Sequence, residues 1–214
     1  MGIAISVSGV RRQRGPNSAD ELRNTGDAFV QRIGDFDAPH ETWRRLVAAG
    51  AVMVQGVSDK AIALLDPNDL HPENPHEEKM LERMVAVRME LGDLILERLK
   101  KLPTTARFPL EDGGELLLVH GSPADPAEAI THDMSDDEVN ALLGDDPADV
   151  VVCGMSHVPF DRIVGGVRII NVGSIGEAPG EARIAHATWI ESTPAGLVVE
   201  PIVVPLEATT LRAS

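Results

Sequence analysis

Three apolar runs in the second half of this 214-residue chain each stop at a short loop of small and polar residues. Val119-His120-Gly121-Ser122-Pro123 closes the first and Val151-Val152-Cys153-Gly154-Met155-Ser156-His157 the second. Asn171-Val172-Gly173-Ser174-Ile175-Gly176 closes the third. A short apolar run bounded by turn residues reads as a buried strand. Polar residues placed where buried strands end are the means by which α/β proteins build their sites.

The rest of the chain supplies the elements such a fold needs. Residues 3–7 read as a strand, and a Gly-, Pro- and Arg-rich loop follows at 9–17. Ser18-Ala19-Asp20-Glu21 then opens a short helix in the manner of a capping box. A second strand at 28–33 ends at Gly34-Asp35, a helix at 40–49 is stopped by Gly50, and a third strand at 51–55 ends at Gly56. This alternation predicts a mostly parallel sheet with crossover helices. Helical spacing governs 75–99, where Met80, Met84, Val87, Leu91 and Leu94 form one stripe supported by Leu81, Ile95 and Leu99. The stripe, with Met53 and Met89 nearby, reads as a core-facing helix. Glu111-Asp112-Gly113-Gly114 and Gly165-Gly166 each join two strands into a hairpin. Strands at 183–190 and 197–204 are joined by a turn at 192–196. The acidic, partly helical stretch 133–149 reads as a solvated face. No stretch reads as a linker, so residues 1–214 are expected to form one domain.

Charge narrows the partners. The net charge of −15, from 34 acidic and 19 basic residues, repels phosphate backbones and anionic lipid. No nucleic-acid or membrane partner is expected, and no apolar run approaches the roughly 18 residues of a membrane span. A protein, a metal cation or a small molecule fits better. Met1-Gly2-Ile3-Ala4-Ile5-Ser6 satisfies a loose myristoylation pattern but reads as the first buried strand. It lacks the basic segment and long apolar stretch of a secretory signal. Cys153 is the sole cysteine, which rules out an intrachain disulfide and fits a cytoplasmic location.

The strand-end motifs, in this order and at these intervals, resemble those of the calcineurin-like metallophosphoesterases, in the small bacterial and archaeal phosphodiesterase-type branch. The resemblance runs from about Ile3 to Glu207. It implies a four-layer α/β/β/α sandwich. Members of that family carry D-x-H, G-D, G-N-H-D or -E, H-G, G-H-x-H and N-x-G-S motifs. Two cations about 3.5–4 Å apart clamp a phosphoryl group while a metal-bound hydroxide attacks.

Carried over residue by residue, the resemblance is uneven. Asp35 matches the bridging carboxylate, His120 the H-G ligand, and His157 the last histidine of G-H-x-H. The first motif falls on Ser6-Val7-Ser8-Gly9, without its aspartate or histidine. The third falls on Gly56-Val57-Ser58-Asp59, with Val57 in place of the ligand asparagine and Ser58 in place of the catalytic histidine. Met155 replaces the first histidine of G-H-x-H. Each lost ligand costs at least about 10–100-fold in metal affinity or activity, so the four lost ligands, the catalytic histidine apart, together cost roughly 10⁴-fold or more.

Three functional readings follow. The first is a protein without efficient catalysis, with no catalytic residue and no cofactor, that binds or scaffolds a protein partner. The similarly built eukaryotic retromer subunit has such a role. The second is a weak phosphoesterase holding one divalent metal such as Mn, Zn or Fe on Asp35, His120 and His157. The third is a metal-free sensor of a small phosphorylated ligand, bound by Arg11, Arg12 and Arg14 at the mouth of the site. Asp37 and His40 are candidate replacement ligands, whereas His71, His76, His132 and His186 read as surface or packing residues. A homo-oligomer is compatible with the family resemblance.

Overall fold

The computed structural model describes residues 3–5, 39–145, 148–175 and 184–205. Its first half runs β1 (Ile3–Ile5), α1 (Pro39–Ala48), β2 (Val52–Val54), α2 (Val57–Leu64), a short 3-10 turn at Pro67–Asp69, and α3 (Pro75–Lys100). The second half runs β3 (Thr105–Pro109), β4 (Glu115–Val119), α4 (Asp136–Leu143), β5 (Val150–Cys153), β6 (Phe160–Val164), β7 (Val167–Asn171), β8 (Ile184–Thr193) and β9 (Gly196–Pro205).

The three apolar runs are neighbours in one sheet of order β3-β4-β5-β7-β6. β4, β5 and β7 are parallel, with Leu118 beside Val152 and Cys153 beside Asn171. Their side chains alternate between two dry faces. Leu117, Val119, Val151, Cys153 and Ile169 pack under Val139, Leu142 and Leu143 of α4. Leu116, Leu118, Val150, Val152 and Ile170 pack against Val54 of β2 and against Ile190, Leu197 and Val199 of the β8–β9 hairpin. A strand covered on both sides has no solvent face to make polar, hence the uninterrupted apolar sequence. Enclosing one leucine as fully as Leu118 contributes about 1.5–3 kcal/mol.

A further core lies between helices. Trp43 and Leu46 of α1, Ile62 of α2, and Val87, Leu91, Ile95 and Leu99 of α3 form it, with Met53 of β2 packed alongside. β2 therefore divides two cores, Met53 facing the helices and Val54 facing the large sheet. The end of β2 is pinned as well. The Gln55 side-chain amide donates to the Leu99 carbonyl at 2.7 Å, and the Gln55 N–H donates to Pro103 at 2.7 Å. The order is α4, large sheet, β2 with the β8–β9 hairpin, then α1 to α3. This is the α/β class and the α/β/β/α layering expected from the sequence.

Four details depart from expectation. β1 pairs with β2 antiparallel, Ile3 opposite Val54, whereas the element order predicts parallel pairing. Three apolar residues read the same in either direction, so the pattern carries no polarity. The strand expected at 28–33 lies outside the described residues. Helix α2 was not anticipated. The acidic stretch is more than a solvated face: Ser135 and Glu138 cap α4 reciprocally, and its apolar residues roof the sheet. Finally, Leu94, Met80 and Met89 are 71%, 61% and 79% exposed. Between Met89 and Leu94, Gly92 interrupts α3 at φ 72°, ψ 164°, a region essentially reserved for glycine. Val87, Leu91, Ile95 and Leu99 follow one another at i,i+4 spacing along the buried line, and Leu94 lies outside it.

β9 forms an edge, pairing only with β8 among the described residues. Thr193 and Gly196 close the hairpin, and a two-residue loop makes its closing pair hydrogen-bonded. Counting alternately from that pair puts Pro201 and Pro205 at positions whose nitrogens face away from β8. The outer edge of β9 thus lacks two donors. Among the described residues, no helix is long and apolar enough to cross a membrane.

Candidate functional site

Because β4, β5 and β7 are parallel neighbours, the loops that follow them emerge side by side. The His120 carbonyl, just past β4, accepts from the N–H groups of Gly154 (3.2 Å) and Met155 (3.0 Å). That clamps the loop after β5 onto the end of β4. The His157 N–H then donates to the Gly154 carbonyl at 3.1 Å, and His157 adopts φ 61°. It is the one non-glycine residue with positive φ among those described. Left-handed backbone outside glycine costs on the order of 1–3 kcal/mol and gathers at functional sites. His120 is 1% exposed, whereas His157 is half-buried.

Asn171 ties the third loop to the second. Its side-chain nitrogen donates to the Ser156 hydroxyl at 2.9 Å and lies 3.7 Å from the Cys153 sulfur. Its side-chain oxygen accepts from the Gly173 N–H at 2.9 Å. Gly173 has φ +76°, and a Cβ there would lie 2.7 Å from the His186 Cβ. The His186 N–H donates to the Ser174 carbonyl at 2.9 Å, which docks β8 against this loop. The first loop is equally tight: Ser122 is bound to the Asp125 carbonyl, and a Cβ on Gly121 would lie 2.5 Å from the Glu128 carbonyl oxygen. These glycines and serines shape the loops regardless of which side chains they present.

The Gly56-Val57-Ser58-Asp59 segment opens α2. The Gly56 N–H donates to the carboxylate of the fully buried Asp59 at 3.2 Å. Asp59 thereby caps the helix start, where a carboxylate also opposes the positive end of the helix dipole. Beside it, Val57 is 42% exposed and Ser58 is half-buried. Burial pushes the Cys153 thiol up to about 12, which leaves it a neutral core group at the end of β5.

The structure thus brings the backbones of His120 and His157 onto one sheet edge. Asp35, Asp37, Arg11, Arg12 and Arg14 lie outside the described residues. His40 is exposed at the start of α1, and its N–H faces Glu90 at 3.4 Å. His71, His76 and His132 are exposed too. Among the described residues, no group of three or more His, Cys, Asp or Glu side chains is gathered to hold an ion. Met155 and Val57, in two of these loops, carry a thioether and an aliphatic side chain rather than hard oxygen or imidazole donors. Ser156 escaped the sequence reading, since it carried no signal beyond standing beside His157, whereas His186, read as a surface or packing residue, lies against Gly173.

The family model of the calcineurin-like phosphoesterase superfamily domain matches residues 11–191. The chain belongs to that superfamily. Members are typically metal-dependent. No curated protein matches the sequence. Among solved structures, a hypothetical protein of Pyrococcus horikoshii OT3 is similar at 24% identity and a TM-score of 0.55. The alignment covers 72% of this chain and 62% of that one. A metallophosphoesterase of Sphaerobacter thermophilus is similar at 20% identity and a TM-score of 0.51, covering 70% of this chain and 64% of that one. The match therefore spans less than two thirds of either structure's own length. Both likenesses carry the metallophosphoesterase fold to this chain.

Proposed function

We propose that this member of the calcineurin-like phosphoesterase superfamily is a cytoplasmic binding or scaffold protein for a protein partner, without efficient phosphoester hydrolysis. One observation carries the reading. Where the resemblance expects metal ligands the loops carry Met155 and Val57, and where it expects the leaving-group histidine they carry Ser58. An aliphatic and a thioether side chain offer no hard donor to a divalent cation, and a serine cannot protonate a leaving oxygen at neutral pH as imidazole does.

The runner-up reading is a slow phosphoesterase with a single Mn, Zn or Fe ion on Asp35, His120 and His157. The left-handed backbone of His157 favours it, since such strain is kept where a side chain must point one way. Metal analysis of purified protein, combined with turnover of an aryl phosphodiester in excess Mn²⁺, separates the two. The binding-protein reading expects substoichiometric metal and no turnover above background. Stoichiometric metal with hydrolysis abolished by Asp35→Ala would establish the enzyme instead.

A further inference from the structure

α3 is apolar on two sides. Val87 and Leu91 enter the helical core, while Val85 and Met89 each stand two residues earlier, about 200° round the helix. Leu81, Val85 and Met89, with Glu78 and Glu82 at helical spacing, line a cleft of about 480 Å³ walled by Pro72. A surface helix needs one apolar stripe, to meet its own core. Among the described residues the second stripe joins no buried cluster, and Met89 projects from it with 79% of its surface exposed.

We propose that this outer face of α3 docks a basic amphipathic helix of a partner protein. The apolar floor matches the apolar stripe of an incoming helix, in the manner of helix-in-groove recognition. Methionine suits the task because it repacks around different side chains. Charge decides the partner's chemistry. Among the described residues, the charged groups lining the cleft are Glu78 and Glu82, in a chain of net charge −15. Lys or Arg flanking the incoming stripe would meet those carboxylates. A second copy of this chain fits worse. A self-complementary interface would set the same Glu78 and Glu82 against each other, with no basic residue of the cleft lining to meet them.

This inference deepens the binding-protein reading and rests on it, yet the two fail separately. Metal and hydrolysis assays test the strand ends, whereas a peptide tests α3. The probe is a fluorescein-labelled helical peptide with leucine on one face and lysine on the other, followed by anisotropy against the full chain at physiological salt. Saturable one-to-one binding is expected, and a peptide with glutamate replacing lysine should not bind. Met89→Ser, at an exposed position, should weaken binding about tenfold. Glu82→Gln should weaken it about two- to fivefold and flatten its salt dependence. Absence of saturable binding, or binding indifferent to Met89→Ser, would overturn the proposal. So would a sedimenting homodimer that Met89→Ser dissociates, since the occupant would then be a second copy.

Discussion

The side-chain amide of Asn171 donates to the hydroxyl of Ser156 at 2.9 Å, so the end of β7 holds the loop after β5 in place. The same side chain accepts from Gly173, and it is 2% exposed. Asn171→Ala removes both bonds and leaves the Gly173 N–H without this acceptor. Removing one partner of a buried bond costs about 1–3 kcal/mol. A urea titration should show that loss, and a change under about 0.5 kcal/mol would mean the loops stand without Asn171.

Two glycines with similar backbone separate strain from crowding. Gly166 has φ +90° and open space where a Cβ would go. Gly173 has φ +76° and the His186 side chain in that space. Gly166→Ala should carry only the left-handed cost, on the order of 1 kcal/mol. Gly173→Ala adds overpacking, for about 1–3 kcal/mol more, and should loosen β8 from the strand-end loop. Equal shifts in thermal midpoint would show that β8 yields freely.

The buried Cys153 thiol makes a prediction about alkali. Its value rises from the ordinary 9.0 to about 12 in the folded chain, so folding binds the proton more tightly than the unfolded state does. The associated stability is complete below about pH 9 and is lost as pH climbs toward 12. Native protein should be inert to an aromatic disulfide reagent near neutral pH and react once unfolded. Cys153→Ala should show a shallower alkaline decline in unfolding midpoint than the parent. Parallel declines would place the thiol in contact with solvent.

The outer edge of β9 presents two nitrogens without hydrogens, at Pro201 and Pro205. Pro201→Val restores a donor and an apolar β-branched side chain on an edge that also exposes Val198 and Val203. Such edges template pairing between chains. Faster aggregation under mild heating, read by light scattering, is the expected result. No change would mean that something else guards this edge.

The parts of the fold set by local pattern were legible in the sequence. Gly113-Gly114 and Gly165-Gly166 announced their hairpins, and the apolar run ending at Cys153 is the strand β5. Tertiary context decided the rest. Nothing local says that Gly92 leaves the helical conformation, because an isolated glycine fits a regular helix at modest cost. The acidic composition around α4 hid Val139, Leu142 and Leu143, three apolar residues spaced for one helical face. At the site, the strand-end loops could be read from their glycines and serines. The bond between Ser156 and Asn171 could not, since their chain separation of 15 residues carries no periodic signature.

The interruption at Gly92 has a mechanical consequence. Amide ladders transmit force along a helix, and here the ladder is broken between the portion bearing Met89 and the portion anchored by Ile95, Leu96 and Leu99. A tug on the outer stripe is borne by the packing of Val87 and Leu91, and the anchored end stays seated. Hydrogen–deuterium exchange should therefore resolve α3 into two segments of different lifetime, a joint hidden inside what the chain presents as a single rod.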